Sequence, residues 1–337
     1  MIGRILLTGG AGYIGSHTCV ELLNAGYEIV IYDNLSNSNK NVIDRIESIA
    51  RKRVVFEEGD IRDGKRLRAV MRRHTCSAVI HFAGLKSVGE STQVPLAYYD
   101  NNVLGTVCLL QAMQDSDIKR IVFSSSATVY GEPKYLPLDE KHPLMATNPY
   151  GRSKLMVEEI LQDLHSSTPG WHISILRYFN PVGAHPSGLI GEDPQGAPNN
   201  LMPFVAQVAV GRREKLSVWG SDYDTKDGTG VRDYIHVVDL AIGHVKALQR
   251  LNHAQCKFIN LGTGKGYSVL DVVKSFERAC SKNIPYELCS RRPGDVAACY
   301  ADPSAAKHEL DWGSTLDLDD MCKDSWIWQS KNPNGYL

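Results

Sequence analysis

An α/β fold, a doubly wound parallel sheet (Rossmann) with a smaller C-terminal domain, is what this sequence predicts. Three observations lead there. Short apolar runs alternate with helical patterns as far as Leu176, the first run ends in closely spaced glycines, and beyond Tyr178 the rhythm gives way to a stretch rich in Pro, Gly and Asn. Regular alternation of strand and helix is the pattern of a parallel sheet covered on both faces.

Ile5-Leu6-Leu7 is a short buried strand that runs straight into a glycine turn. Tyr13 to Asn24 then carries Ile14, Cys19, Leu22 and Leu23 at helical spacing, with Gly26 as the stop. Glu28-Ile29-Val30-Ile31-Tyr32 completes a βαβ unit. Strands follow at Val54–Phe56, Ala78–Ile80, Arg120–Phe123 and Ile173–Leu176, with helical segments over Lys65–His74 and Leu104–Gln114 between them. From Tyr178 to about Thr229, turn formers such as Asn180-Pro181, Pro186-Ser187-Gly188 and Asp193-Pro194-Gln195-Gly196 predict a long irregular region, of the kind that carries function. The expected organisation is a nucleotide-binding domain over 1–177, joined by a return segment near 233–254, and a substrate domain over 178–337.

Composition excludes several classes. Lysine and arginine total 37 against 38 acidic residues, so nothing marks a nucleic-acid partner. No apolar run approaches a membrane span, and the N-terminus lacks the features of a secretory signal. The eight cysteines form no C-x-x-C pair or metal-ligand spacing, and the eleven histidines no H-E-x-x-H cluster. The chain therefore reads as a metal-free cytoplasmic protein with scattered free thiols.

The glycines at 9, 12 and 15 lie between a strand and a helix. Glycine there permits positive φ and lets backbone N–H groups approach a pyrophosphate at the positive end of the helix. Asp33 ends the second strand, 18 residues beyond Gly15, and no arginine follows within six residues. A carboxylate there accepts from ribose hydroxyls and repels a 2′-phosphate, which selects NAD over NADP. Asp60 after the third strand is a candidate adenine contact, and Phe82-Ala83-Gly84 and Lys86 end another strand at the same edge.

Tyr150 and Lys154 stand four residues apart, on one face of a helix. An ammonium beside a phenol favours the phenolate, so Lys154 is expected to lower the Tyr150 pKa. The pair is a proton carrier suited to an alcohol–ketone interconversion. Ser124-Ser125-Ser126 follows an apolar strand, at the sheet edge where such folds bind ligands.

These motifs together resemble the extended short-chain dehydrogenase/reductases: Thr8-Gly9-Gly10-x-Gly12-Tyr13-Ile14-Gly15, Phe82-Ala83-Gly84-Leu85-Lys86, Ser124-Ser125-Ser126-Ala127-Thr128-Val129-Tyr130-Gly131 and Tyr150-Gly151-x-Ser153-Lys154. Arg177 to Ala184, Pro198 to Leu201 and Gly230 to His236 narrow the resemblance to the bacterial-type UDP-glucose 4-epimerases. The resemblance implies that Tyr150 takes the proton of the sugar 4-hydroxyl, that Ser126 bonds the same oxygen, and that Lys154 holds the nicotinamide ribose. The C4 hydride would pass to NAD, leave a 4-keto sugar and return to the other face. Since the nicotinamide presents one face, the sugar itself must turn over, so binding energy must sit on UDP and the sugar pocket must be roomy.

The resemblance also completes the sites. Tyr13, Ile14, Asn34, Asn37, Ser38, Ile61, Asn101, Ser124 and Tyr178 join the cofactor set. Arg232 and Arg292 would clamp the diphosphate, with Asn180 and Asn200 as further donors, Trp219 against uracil and Asp295 on a ribose hydroxyl. Lys86, Phe179, Leu201, Ser217 and Cys299 complete the substrate set. At the position of Cys299 a tyrosine in relatives restricts the pocket to plain hexoses, and a small residue admits a 2-acetamido group, so both hexose pairs are expected. A homodimer through the helices near Pro95 and Tyr150 is implied as well. Three rivals remain: an epimerase restricted to one pair and, more remotely, a 4,6-dehydratase or a non-catalytic NAD sensor. The dehydratase needs an Asp-Glu pair where Ala127 and Thr128 stand, and a sensor has no need of the Ser126, Tyr150 and Lys154 kept here.

Overall fold

The computed structural model describes residues 3–196, 198–292 and 294–336. The first six strands are β1 (Arg4–Thr8), β2 (Ile29–Asp33), β3 (Val55–Glu58), β4 (Cys76–His81), β5 (Arg120–Ser126) and β6 (His172–Tyr178). Then follow β7 (Asn180–Val182), β8 (Leu216–Trp219), β9 (Val231–His236), β10 (Gln255–Leu261), β11 (Gly266–Ser268), β12 (Tyr286–Cys289) and β13 (Ala298–Cys299). A seven-stranded parallel sheet runs in the order β3-β2-β1-β4-β5-β6-β10. The order reverses between β1 and β4, and ligands of such sheets bind at that switch, outside the carboxyl ends of the strands.

Side chains alternate across a strand, and the two cores follow from that. Ile5 and Leu7 face one layer with Ile29, Ile31, Leu22 and Leu240, whereas Leu6 faces the other with Val30, Val79, Leu109 and Leu161. Full burial of each such side chain stabilises the fold by roughly 1.5–3 kcal/mol. The helix Val237–Gln249 returns from the second lobe and packs on the helix Tyr13–Asn24. β10 then extends the sheet beyond β6, so the part of the chain that returns runs past 254 as far as Leu261.

The stretch expected to be irregular holds more order than its turn formers suggest. β7, β8 and the helix Leu201–Ala209 all lie within it. Pro203 is the reason the helix was hidden: it sits in the first turn, where its missing N–H has no intrahelical acceptor to lose. A second correction concerns Leu104–Gln114. The α-helix begins at Gly105, and Tyr99–Leu104 is a π-helical turn. β7, β9, β11 and β13 form a small sheet, and β8 pairs with β12. Their core holds Val182, Val205, Val218, Tyr234, Phe276 and Met321. Among the described residues no helix is long and apolar enough to cross a membrane.

Candidate active site

The turn after β1 is built for close approach. Gly9 has φ +70, and a Cβ there would lie 2.5 Å from the backbone nitrogen of Ala83. Any side chain would force β1 and β4 apart at the switch point. A Cβ on Gly15 would strike the carbonyl of Gly9, while Gly12 starts the Tyr13–Asn24 helix with no side chain capping it. The uncapped N–H groups of that first turn are free donors for an anion.

Asp33 stands at the end of β2, buried, and accepts from Ala11 N at 3.0 Å, Leu35 N at 2.9 Å and Ser38 Oγ at 3.0 Å. Burial pushes its carboxyl up, and these three donors pull it back. A glycine cradle that a Cβ would fill, an uncapped helix start and a carboxylate at the next strand end fit a dinucleotide carrying a free 2′-hydroxyl. Neighbouring candidates are more constrained. Asp60 accepts from Arg62 Nε at 2.8 Å and Nη2 at 2.7 Å, which hold it well below the usual carboxylate range. Asn34 donates to Asp60 at 3.0 Å, Ile61 is packed in the core, and Asn37 is exposed. Tyr13 donates to the carbonyl of Gly183 at 2.7 Å and so ties the cofactor helix to the second lobe.

The π-helical turn supplies Asn102, which the sequence reading did not single out. Its Oδ1 accepts from Leu85 N at 2.8 Å, and its Nδ2 donates to Leu85 O and to Ser153 Oγ, both at 3.0 Å. One buried amide thus fastens the loop after β4 to the helix Pro149–Ser167. Asn101 donates to the same Oδ1 at 3.0 Å. Nothing in two adjacent asparagines signals this role; it depends on the π turn, a feature frequent at functional sites.

Asn148 Oδ1 accepts from Gly151 N at 2.9 Å and starts the Pro149 helix, with Pro149 at its first position. Tyr150 and Lys154 emerge from the first turns of that helix toward the end of β5. Lys154 Nζ donates to Ser124 O at 2.7 Å and lies over the Phe123 ring, and burial pushes its pKa down to about 8. Burial pushes the Tyr150 phenol up rather than down, and the Ser126 hydroxyl offsets only part of this. The expected lowering by Lys154 is therefore corrected. Four-residue spacing puts two side chains on one face without fixing the tip of a flexible lysine, and here the ammonium turns to a carbonyl. Ser126 Oγ accepts from Thr128 N at 3.2 Å and from Thr128 Oγ1 at 2.9 Å.

Tyr178 is hydrogen-bonded to His244. His244 is buried, its pKa lowered to about 4, and its Nδ1 donates to Leu240 O at 2.8 Å. The neutral ring therefore presents Nε2 as acceptor, and the Tyr178 hydroxyl donates to it. The Phe82 ring stacks on the same imidazole at 4.8 Å.

The substrate candidates fall on three supports. β7 and β13 both pair with β9, so Asn180, Arg232 and Cys299 share one small sheet, with Cys299 in register with Arg232. Arg232 Nη1 donates to the carbonyls of Val231 at 2.9 Å and Val296 at 2.8 Å. Asp295 accepts from Arg292 Nε at 3.0 Å and lies 3.8 Å from Arg232, so this carboxylate already serves both guanidinium groups. Ser217 and Trp219 stand apart on β8, Trp219 exposed and Ser217 facing Glu287. Asn200 and Lys86 both reach Glu192 Oε1 at 2.9 Å, across the cleft from each other, just before Leu201 opens its helix. Glu192 was not anticipated. Cys299 is partly buried against the cluster of Val129, Tyr130, Leu138, Phe179 and Ala301, on whose margin Ala127 and Leu155 also lie. The Tyr300 ring lies against Gly266 of β11, on the other side of its strand.

Comparison with known proteins agrees with this arrangement. A family model described as GDP-mannose 4,6 dehydratase matches residues 6–325. The UDP-glucose 4-epimerase of Bacillus subtilis (strain 168) is 61% identical over 333 residues, covering 98% of each chain. The crystal structure of UDP-glucose 4-epimerase from Bifidobacterium longum in complex with NAD+ and UDP is 54% identical, with a TM-score of 0.96 over 98% of this chain and 99% of that one. The UDP-glucose-4-epimerase from Stenotrophomonas maltophila, with bound NAD and formylated UDP-arabinopyranose, is 51% identical, with a TM-score of 0.97 over 99% of both chains. With the glycine cradle, the Ser126–Tyr150–Lys154 group and whole-chain identity in agreement, the chain belongs to the UDP-glucose 4-epimerases of the extended short-chain dehydrogenase/reductase family.

Proposed function

We propose that the protein epimerises UDP-hexoses at C4, interconverting UDP-glucose and UDP-galactose and also UDP-N-acetylglucosamine and UDP-N-acetylgalactosamine. The observation that carries this reading is the placement of Ser126 at the carboxyl end of β5 against the Pro149 helix that bears Tyr150 and Lys154, with Lys154 Nζ 2.7 Å from Ser124 O and the glycine cradle at the end of β1 in the same sheet. NAD held by Gly9, Gly12, Gly15, Asp33 and Lys154 supplies a reversible hydride acceptor for C4. Tyr150 takes the proton of the 4-hydroxyl and later returns it, and Ser126 holds that oxygen in line with the phenol. Arg232 and Arg292 bind the diphosphate through forked donors and leave the sugar free to turn. Ala127 offers no titratable group and Thr128 is committed to Ser126, so the acid and base that dehydration requires are missing.

The test is direct. Purified protein should convert UDP-galactose to UDP-glucose without added oxidant, and denaturation should release NAD; no conversion would remove the reading. Asp33→Ala should weaken NAD retention by about 1–3 kcal/mol, the cost of a lost buried acceptor. Titration of the stripped variant with NAD measures it, and an unchanged affinity would free Asp33 of that role.

A homodimer is part of this proposal. Leu96 is 81% exposed, and Val94, Leu104 and Met156 are exposed on the same helical region. Contiguous apolar exposure of this kind marks an interface. Leu96→Asp should shift the protein toward monomer in sedimentation, and a dimer of undiminished strength would place the interface elsewhere. The eight free cysteines fit a cytoplasmic location.

A further inference from the structure

The Pro149 helix presents a third polar residue on the face that carries Tyr150 and Lys154. Glu158 lies one further turn along, completely buried. Its Oε1 accepts from Ser125 Oγ at 2.5 Å and from Arg177 Nε at 3.0 Å, and its Oε2 accepts from Arg177 Nη2 at 2.7 Å. The serine cluster and the helix face are thus tied twice, Ser124 O with Lys154 and Ser125 Oγ with Glu158, and Ser126 is the next residue of the strand. Arg177, also buried, continues to Tyr130 OH at 3.1 Å, and Tyr130 donates to Asn260 at 2.6 Å. Tyr130 packs with Phe179 and Cys299, so the network ends at the wall of the candidate sugar pocket.

A buried ion pair is a costly way to hold two elements together. Apolar residues of similar volume often serve stability as well or better. What an ion pair with fixed hydrogen bonds supplies is register. The bidentate Arg177 and the Ser125 hydroxyl leave Glu158 one position, and a helix so held cannot slide along β5.

The geometry points to Glu158 as a positioning residue for the reaction: through Ser125 and Arg177 it locks the Pro149 helix to β5 and β6, so that Tyr150 and Lys154 stay over Ser126 and Ser124. This rests on the epimerase reading above. Glu158 also contributes the negative charge that favours protonated Lys154. The titratable and charged groups that face this pair are His81 on β4, Arg177 on β6 and Cys256 on β10. His81 is neutral, its pKa lowered to about 3 by burial. Arg177 is the cation that Glu158 offsets.

Two variants and two readouts test the assignment. Glu158→Gln keeps the shape and an acceptor for Ser125 but removes the charge; Ser125→Ala leaves the ion pair whole and cuts one tie. For Glu158→Gln, kcat should fall about 10–100-fold, as for a misplaced reacting group, with KM for UDP-galactose within about threefold. The alkaline limb of the rate profile should move to lower pH, because both the lost carboxylate and the uncompensated Arg177 favour neutral Lys154. For Ser125→Ala, kcat should fall about 3–10-fold, the rate equivalent of one hydrogen bond. In both, amide hydrogen exchange should quicken over residues 150–158 and not across the whole chain. A lower Tm with kcat, pH profile and local exchange unchanged would overturn the assignment. If Glu158→Gln fails to fold, Ser125→Ala decides alone. Failure of the unmodified protein to turn over UDP-galactose would count against the epimerase reading, while the exchange measurement would still judge Glu158.

Discussion

Tyr150→Phe should lower turnover by roughly 10²–10⁴-fold, the usual worth of a positioned acid–base group. The ring stays, so packing on the Pro149 helix is unchanged and NAD should be retained. Only the hydroxyl is lost. The effect should fall on kcat, because the UDP contacts proposed at Arg232 and Arg292 lie on other elements. A steady-state comparison with UDP-galactose measures it, and turnover near that of the unmodified protein would exclude Tyr150 as the base. The surroundings make the demand on this residue severe. Burial raises the phenol, so its ionised form depends on nearby positive charge.

Cys299→Tyr should separate the two substrate pairs. The thiol packs against the cluster that holds Phe179 and Tyr130, and its pKa is raised to about 11 by burial, so it is a neutral, small side chain at working pH. A phenol ring added there would overpack the wall beside β5, at about 1–3 kcal/mol. A 2-acetamido group needs clearance throughout the turn of the sugar, whereas a plain hexose does not. The N-acetyl rate should therefore fall roughly 5–150-fold while the UDP-glucose reaction is largely kept. Equal loss on both substrates would mean general damage to the pocket, and absence of N-acetyl activity in the unmodified protein would end the proposal. The position of Tyr300 favours a clear outcome, since its ring is held against Gly266, away from the cysteine.

Much of the fold was legible because it depends on local patterns. Ile5–Leu7 and Val30–Tyr32 read as buried strands because parallel strands covered on both faces are apolar throughout. The glycine turn was legible for a similar reason, since few other residues accept the φ of Gly9 or the closeness of Ala83. Pro203 hid a helix because a first-turn proline looks the same as a breaker. Glu158 left a trace that could have been followed, since the step from Tyr150 to Lys154 reaches it when repeated. Asn102 and Glu192 left none. Their roles arise from loops that meet only when β4, the π turn and the second lobe are assembled.

By itself the sequence determined the sheet, the cofactor turn, the acid carboxylate of Asp33 at the second strand end and the chemical kinds of residue at the reaction centre. These follow from backbone conformation, side-chain period and the chemistry of single groups, which are properties of short segments. The tertiary structure alone decided how those groups are held and charged. It turned Lys154 to a carbonyl, raised rather than lowered Tyr150, committed Asp60 to Arg62 and Asp295 to Arg292, and buried Glu158 with Arg177. A hydrogen-bond partner or a desolvation penalty depends on what lies across the space between elements, and residues distant in the chain, such as 125, 158 and 177, meet there only on folding.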